Sequence, residues 1–484
     1  MSPTLLFSFV LAYFALLLAV AWYTSRNSNN ESFFIGNKNS NWMLVAFGMI
    51  GTSLSGVTFV SVPGTVATNA FSYMQVVFGY LIGYVVIAYV LLPLYYRLNL
   101  TSIYNYLQQR FGFTAYKTGA LFFIISRTVG ATARLYLVIN VMQLFILDRL
   151  GVPFWVTAMV ILLMILLYTF EGGVKTIVYT DTLQTSFMLL GLVVCVFYIM
   201  NNLGYGFGEA MSVLSSKGYT NVFDWDPNSK GFFWKHLIGG ACITIAMTGL
   251  DQEMMQKNIS VKNLKDSQKN MMTFSVVIVF VNFLFLLLGG LLYVYAANKG
   301  LDVKGDDLFP TIALSHLPNA IAIIFIIALI SALFPSADGA LTALTSSFCI
   351  DILGIRRRKD MTDAQQKRTR MTVHLTFTVV FMICILVFKV IDNKSIIGVI
   401  LDLAGYTYGP LLGLFAFGIL TKRTFPDNLM VTVICLIAPA ICYLISKNAA
   451  NWFGGFQIGI ELLLINGLLT FLGLLSISKK QAIA

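Results

Sequence analysis

Trp42-Met-Leu-Val-Ala-Phe-Gly-Met-Ile-Gly-Thr-Ser-Leu-Ser-Gly-Val-Thr-Phe-Val-Ser-Val-Pro-Gly64 is apolar enough to cross a bilayer but poorly suited to an unbroken helix. Four glycines (48, 51, 56, 64), Pro63 and five hydroxyl residues fall within this one stretch. Glycine lowers the cost of leaving helical φ/ψ, and unwinding frees backbone carbonyls. Two readings fit. In one, small residues let this helix pack closely on a neighbour. In the other, the span is interrupted, and carbonyls with a few hydroxyls offer the oxygen ligands a hard cation such as Na+ prefers.

The rest of the chain has the same character. It is 58% hydrophobic and 11% charged, with mean hydropathy +0.80. Charge is confined to islands between apolar runs of about 20 residues, each long enough to cross a ~30 Å hydrocarbon core. A β-barrel is excluded because the runs are continuously apolar. The expected fold is an all-α polytopic membrane protein, one transmembrane domain over 1–484, with thirteen spans near 3–25, 43–68, 73–97, 118–148, 153–170, 177–201, 232–252, 272–298, 318–348, 371–391, 395–420, 427–446 and 456–477. Thirteen spans allow a leading helix, a five-plus-five inverted-repeat core (about 43–201 and 232–420) and two trailing helices (427–477).

The net charge of +11 reflects topology rather than nucleic-acid binding. With the N-terminus outside, the cytoplasmic loops and tail carry 21 of the 32 Lys and Arg against 9 outside. The bias places the C-terminus in the cytoplasm and the chain in a cell (inner) membrane. Six scattered cysteines form neither a disulfide framework nor a zinc site. The three histidines are too dispersed for a metal cluster. The loop 202–231 reads as an external cap, segment 309–317 as a short external helix, and 253–271 as a cytoplasmic loop without a function.

Three further features carry chemistry. The ninth span holds Ser331-Ala-Leu-Phe-Pro-Ser-Ala-Asp-Gly339. Pro335 cannot donate to the carbonyl of Ser331, which predicts a bend there, with Ser336 and Asp338 following at once. Counted along each helix, Ser336 and Ser55 come to a similar depth. Asp181 lies in Glu171-Gly-Gly-Val-Lys-Thr-Ile-Val-Tyr-Thr-Asp-Thr-Leu-Gln184, one turn inside an apolar helix. A carboxylate there costs roughly 2.5–3.5 kcal/mol, so it calls for a cation or an internal partner. Arg127 and Arg134 stand seven residues apart, on one face of the fourth span. Arg134 falls near mid-membrane, where it wants either a carboxylate solute or an internal acid such as Asp338 or Asp402.

These residues resemble the sodium:solute symporter family. The most specific match is Gly172-Gly173 with Thr180-Asp181 and Gln184, followed by Ala332, Ser336, Asp338 and Leu341. Looser matches are Ser55 before Pro63-Gly64, Asp251-Gln252 with Gln256, and Gly409-Pro410-Leu411. The resemblance implies a Na+ site from the carbonyls of Gly51, Leu54 and Ala332 and two hydroxyls, at position 335 and Ser336. Position 335 here is proline, so one hydroxyl is missing: either water or Ser331 substitutes, or Na+ binds weakly, or the coupling cation differs. Asp181 and Asp338 are implied as a second cation position or the exit path. Ser53, Ser55, Thr58, Gln75, Arg134, Asp402 and Tyr406 are expected to line the solute pocket. The implied activity is Na+-driven uptake of a small polar solute, such as a sialic acid, a monocarboxylate or a sugar, by alternating access. No enzymatic activity and no organic cofactor are expected; the partners are Na+, the solute and lipid. Proton coupling is the rival within transporters. A cation channel is disfavoured, since no repeated filter motif appears.

Overall fold

A computed structural model describes residues 3–26, 30–170, 173–358, 360–391 and 396–480. Glu171, Gly172 and Lys359 therefore lie outside the described residues. The described chain is nearly all helix, with one two-stranded pairing of Arg423–Thr424 against Lys479–Lys480. Among the described residues, eight helices are long and apolar enough to cross a membrane. They become nine when Trp42–Ser53 and Gly56–Gly64 are taken as one broken span. Shorter helices occupy other expected spans: Phe154–Thr169, Phe233–Thr244, Ile396–Thr407, Gly409–Leu420 and Leu462–Ile477.

Burial sorts these helices into a centre and a rim. The most apolar window of Asn319–Ile352 is 78% buried, whereas those of Thr4–Ser25, Asp363–Ile391 and Met430–Trp452 are 28%, 28% and 22% buried. The rim helices thus present most of their apolar surface outwards, as lipid-facing helices do. At the centre, Trp42–Ser53 packs on Gly173–Leu203 and Leu264–Asn298, and Gly173–Leu203 packs on Asn319–Ser347. Between lipid-solvated helices, close packing replaces the hydrophobic effect as the cohesive force. The pairing of Tyr73–Val86 with Phe233–Thr244 illustrates it: a Cβ on Gly79 or Gly240 would collide with the other helix's backbone.

Segment 202–231 carries the helix Phe207–Ser216, and its later residues bond to Gln75 of the Tyr73–Val86 helix. Segment 309–317 is short and helical, as expected. The reading of 253–271 as a loop needs correction. Residues Gln252–Ile259 form a helix buried along its whole length. Its polar sequence disguises that, because its partners come from distant parts of the chain.

Candidate cation and solute site

The Trp42–Ser53 helix ends within the glycine- and hydroxyl-rich stretch, so the span is interrupted. Leu54 (φ −90°, ψ 71°) and Ser55 (φ −68°, ψ 175°) leave helical geometry, and the chain resumes at Gly56 with a 52° bend. Ending a helix there leaves carbonyls of its last turn without helical amides. Only that of Ile50 is claimed by the next amide, from Leu54 at 2.8 Å. The packing reading of the glycines holds as well. A Cβ at Gly51 would meet Thr185 Oγ1 and lie 3.4 Å from the Pro335 ring. The break therefore faces both the ninth span and the Gly173–Leu203 helix.

Asn319–Ser347 is one helix through Pro335, and Ala332 and Ser336 are buried on it. Ser336 Oγ donates to Leu333 O at 3.0 Å. Ser331 is engaged elsewhere: its Oγ donates to the Tyr13 hydroxyl at 2.7 Å. Thr185, absent from the sequence reading, is fully buried, and its hydroxyl has no hydrogen-bond partner among the described residues. It lies against Gly51 beside the ring that replaced a hydroxyl. Its spacing one turn after Asp181 was the available signal.

Beneath the break lies a buried charge network. Asp181 Oδ2 accepts from Lys257 Nζ at 2.6 Å, and Nζ also donates to Thr52 Oγ1 at 2.6 Å. Lys257 lies 3.8 Å from Glu253 Oε1, and Glu253 is paired with Arg127. Arg127 also stands 3.9 Å from Asp251, whose Oδ2 accepts from the Tyr408 hydroxyl at 2.7 Å. Asp338 Oδ2 accepts from Tyr168 at 2.7 Å. In each of these ion pairs neither side chain is more than 4% exposed. Gly339 is required here, since a Cβ would strike the Glu253 carboxylate. The sequence reading gave Arg127 no partner of its own; its partner is Glu253, from the segment read as a loop.

Above the network is a cavity against the broken span. Ser53, Leu54, Ser55, Thr58 and Arg134 all line it, and Arg127 reaches its floor. The lining contains two arginines and no carboxylate. Arg134 forms no ion pair among the described residues, so neither Asp338 nor Asp402 neutralises it.

Three expected lining residues lie elsewhere. Gln75 is buried outside the cavity, donating to Gly231 O at 3.0 Å and accepting from the Asp224 amide at 3.2 Å. It fastens the 202–231 segment to the Tyr73–Val86 helix. Asp402 is exposed, and the Tyr406 ring packs on Tyr443 at 6.2 Å. The reason is the close seating of this helix on Leu462–Ile477: Asn466 Nδ2 donates to the carbonyls of Gly405 (3.0 Å) and Tyr406 (2.9 Å).

The model of the sodium:solute symporter family matches residues 33–434. The sodium/sialic acid symporter NanT of Aliivibrio fischeri is 23% identical over 481 residues, covering 96% of this chain and 93% of NanT. The sodium/sialic acid symporter SiaT of Proteus mirabilis is 22% identical, covering 94% and 92%. Among solved structures, an outward-open, substrate-bound Na+-coupled sialic acid symporter superposes with a TM-score of 0.84 at 19% identity, covering 98% of this chain and 99% of that one.

Proposed function

Because the chain belongs to the sodium:solute symporter family, we propose that it is a Na+-driven importer of a small carboxylate-bearing solute. The observation that carries the solute class is Arg134: a guanidinium without an ion pair among the described residues, on the wall of a cavity whose described lining holds no acid. A planar fork of donors in a low-dielectric site suits a carboxylate. The sialic acid symporters among its relatives transport such an acid, which supports the reading.

The ion is assigned to the break. Carbonyls of Gly51, Leu54 and Ala332, with the hydroxyls of Ser336 and Thr185, make an all-oxygen set of the kind a hard cation takes. Thr185 supplies what Pro335 cannot. Na+ there ties the broken span to the ninth span and favours the outward-open arrangement; solute binds above, and inward opening releases both. Ion and solute raise each other's affinity, since coupling is reciprocal. The reading includes thirteen spans with an inverted-repeat core, an external N-terminus and a cytoplasmic C-terminus.

Proteoliposomes test it directly. An inward Na+ gradient is expected to drive uptake of N-acetylneuraminate or a monocarboxylate, and Arg134→Gln to weaken apparent solute affinity by about 10- to 100-fold, from the loss of a charged hydrogen bond. Carboxylate uptake that ignores Arg134→Gln would remove the solute assignment. Uptake driven by a proton gradient in Na+-free buffer would replace the ion.

A further inference from the structure

A carboxylate deep among apolar helices requires a positive charge. At Asp181 the protein supplies its own. The Lys257 ammonium is 2.6 Å from Asp181 Oδ2, 2.6 Å from Thr52 Oγ1 and 3.8 Å from Glu253 Oε1. Two carboxylates and a hydroxyl form the kind of oxygen cage an alkali ion would take. The other oxygen of the same carboxylate, Asp181 Oδ1, is buried with no hydrogen-bond partner among the described residues. The cage therefore has more acceptor capacity than one ammonium uses.

The amine cannot be exchanged with either side of the membrane, because its backbone is fixed. Gln252 accepts from the Ile103 amide at 2.9 Å and donates to Thr101 O at 3.1 Å. Gln256 donates to Ser346 Oγ at 3.1 Å and to the carbonyl of Phe34. Asp251 caps the helix through the amide of Glu253 at 2.9 Å. Lys257 projects from this anchored turn into the cage, whereas an ion bound there would come and go with each cycle.

We propose that Lys257 is a tethered cation standing where a second exchangeable ion would otherwise bind, so that one Na+ accompanies each solute. The inference rests on the sodium-coupled reading for the identity of the ion, but not for the occupant of the cage.

The test counts 22Na+ bound at saturation to purified full-length protein, comparing wild type with Lys257→Ala, Lys257→Arg and the double variant Lys257→Ala/Asp181→Asn. The expected counts are one ion for wild type and Lys257→Arg, two for Lys257→Ala, and one again for the double variant. The inference is read from the difference between Lys257→Ala and wild type. A wild type that binds no Na+ ends the sodium-coupled reading, while a variant that still gains one ion sustains this one. Two ions on the wild type, or a folded Lys257→Ala that gains none, overturns it. If Lys257→Ala is unstable in N-methyl-D-glucamine, recovery in NaCl supports the inference, and instability that Na+ and K+ both fail to relieve overturns it.

Discussion

Thr185 and Pro335 meet over the same glycine, and in the proposed ion site Thr185 stands in for the hydroxyl that position 335 lacks. Pro335 lacks both the hydroxyl and the amide that a serine would bring, and Ser331 already donates to Tyr13. Thr185 brings an uncommitted buried oxygen from a different helix. Thr185→Ala is expected to weaken Na+ about tenfold, equivalent to ~1.4 kcal/mol, while Thr185→Ser keeps the wild-type affinity. The readout is Tm titrated with Na+ against K+ at constant ionic strength, because an ion that binds only the folded state raises Tm. Unchanged Na+ dependence in Thr185→Ala excludes it from the ligand set. Sequence alone marked Asp181, Ser336 and Arg134 because each is conspicuous in an apolar run. Thr185 is one hydroxyl among many: its place one turn after Asp181 was a weak signal, and the nearness of Gly51 singles it out.

Among the elements, the helix Gln252–Ile259 is the one that sequence patterning hid. Glu253 and Lys257 are one turn apart, which reads as an exposed helix pair or a polar loop. Their partners, Arg127 and Asp181, lie more than 70 residues away in sequence. No local pattern encodes that distance, so the segment was counted among cytoplasmic basic charges. The broken span was legible for the opposite reason: glycines, hydroxyls and proline act on their own backbone, and the break came at Leu54–Ser55. Glu253→Gln is expected to cost roughly 3–5 kcal/mol of stability by leaving Arg127 buried beside a neutral amide. Neutralising both partners, with Glu253→Gln and Arg127→Gln together, is expected to cost less than the single change. Denaturation of the four proteins as a double-mutant cycle measures it, and additive losses would show that the two side chains do not act as a pair.

At the scale of the whole molecule, hydropathy and charge distribution yielded the helical membrane class and left the packing order of the helices to the structure. The broken span, the Asp181 helix and the ninth span form the centre, and the first and trailing helices the rim. Orientation is a separate prediction. Lys217 follows the Phe207–Ser216 helix in the segment assigned to the outside, and its side chain is exposed. All six cysteines are buried or only partly exposed, which keeps the background of a thiol label low. Lys217→Cys is expected to react with a membrane-impermeant maleimide added to intact cells; labelling only after the membrane is opened would invert the topology.

Leu54 and Ser55 sit on the cavity wall and also form the break that is assigned to the ion. If the proposed site holds, substitution there is expected to alter cargo recognition and ionic drive together, which closes these two positions to gradual change of diet. A lineage adapting to a new nutrient is then expected to work on the rest of the lining, where Ile243, Thr244, Met247 and Thr248 border the cavity from another helix. Diversity among relatives with different cargoes is accordingly expected to concentrate there, with Leu54 and Ser55 drifting least.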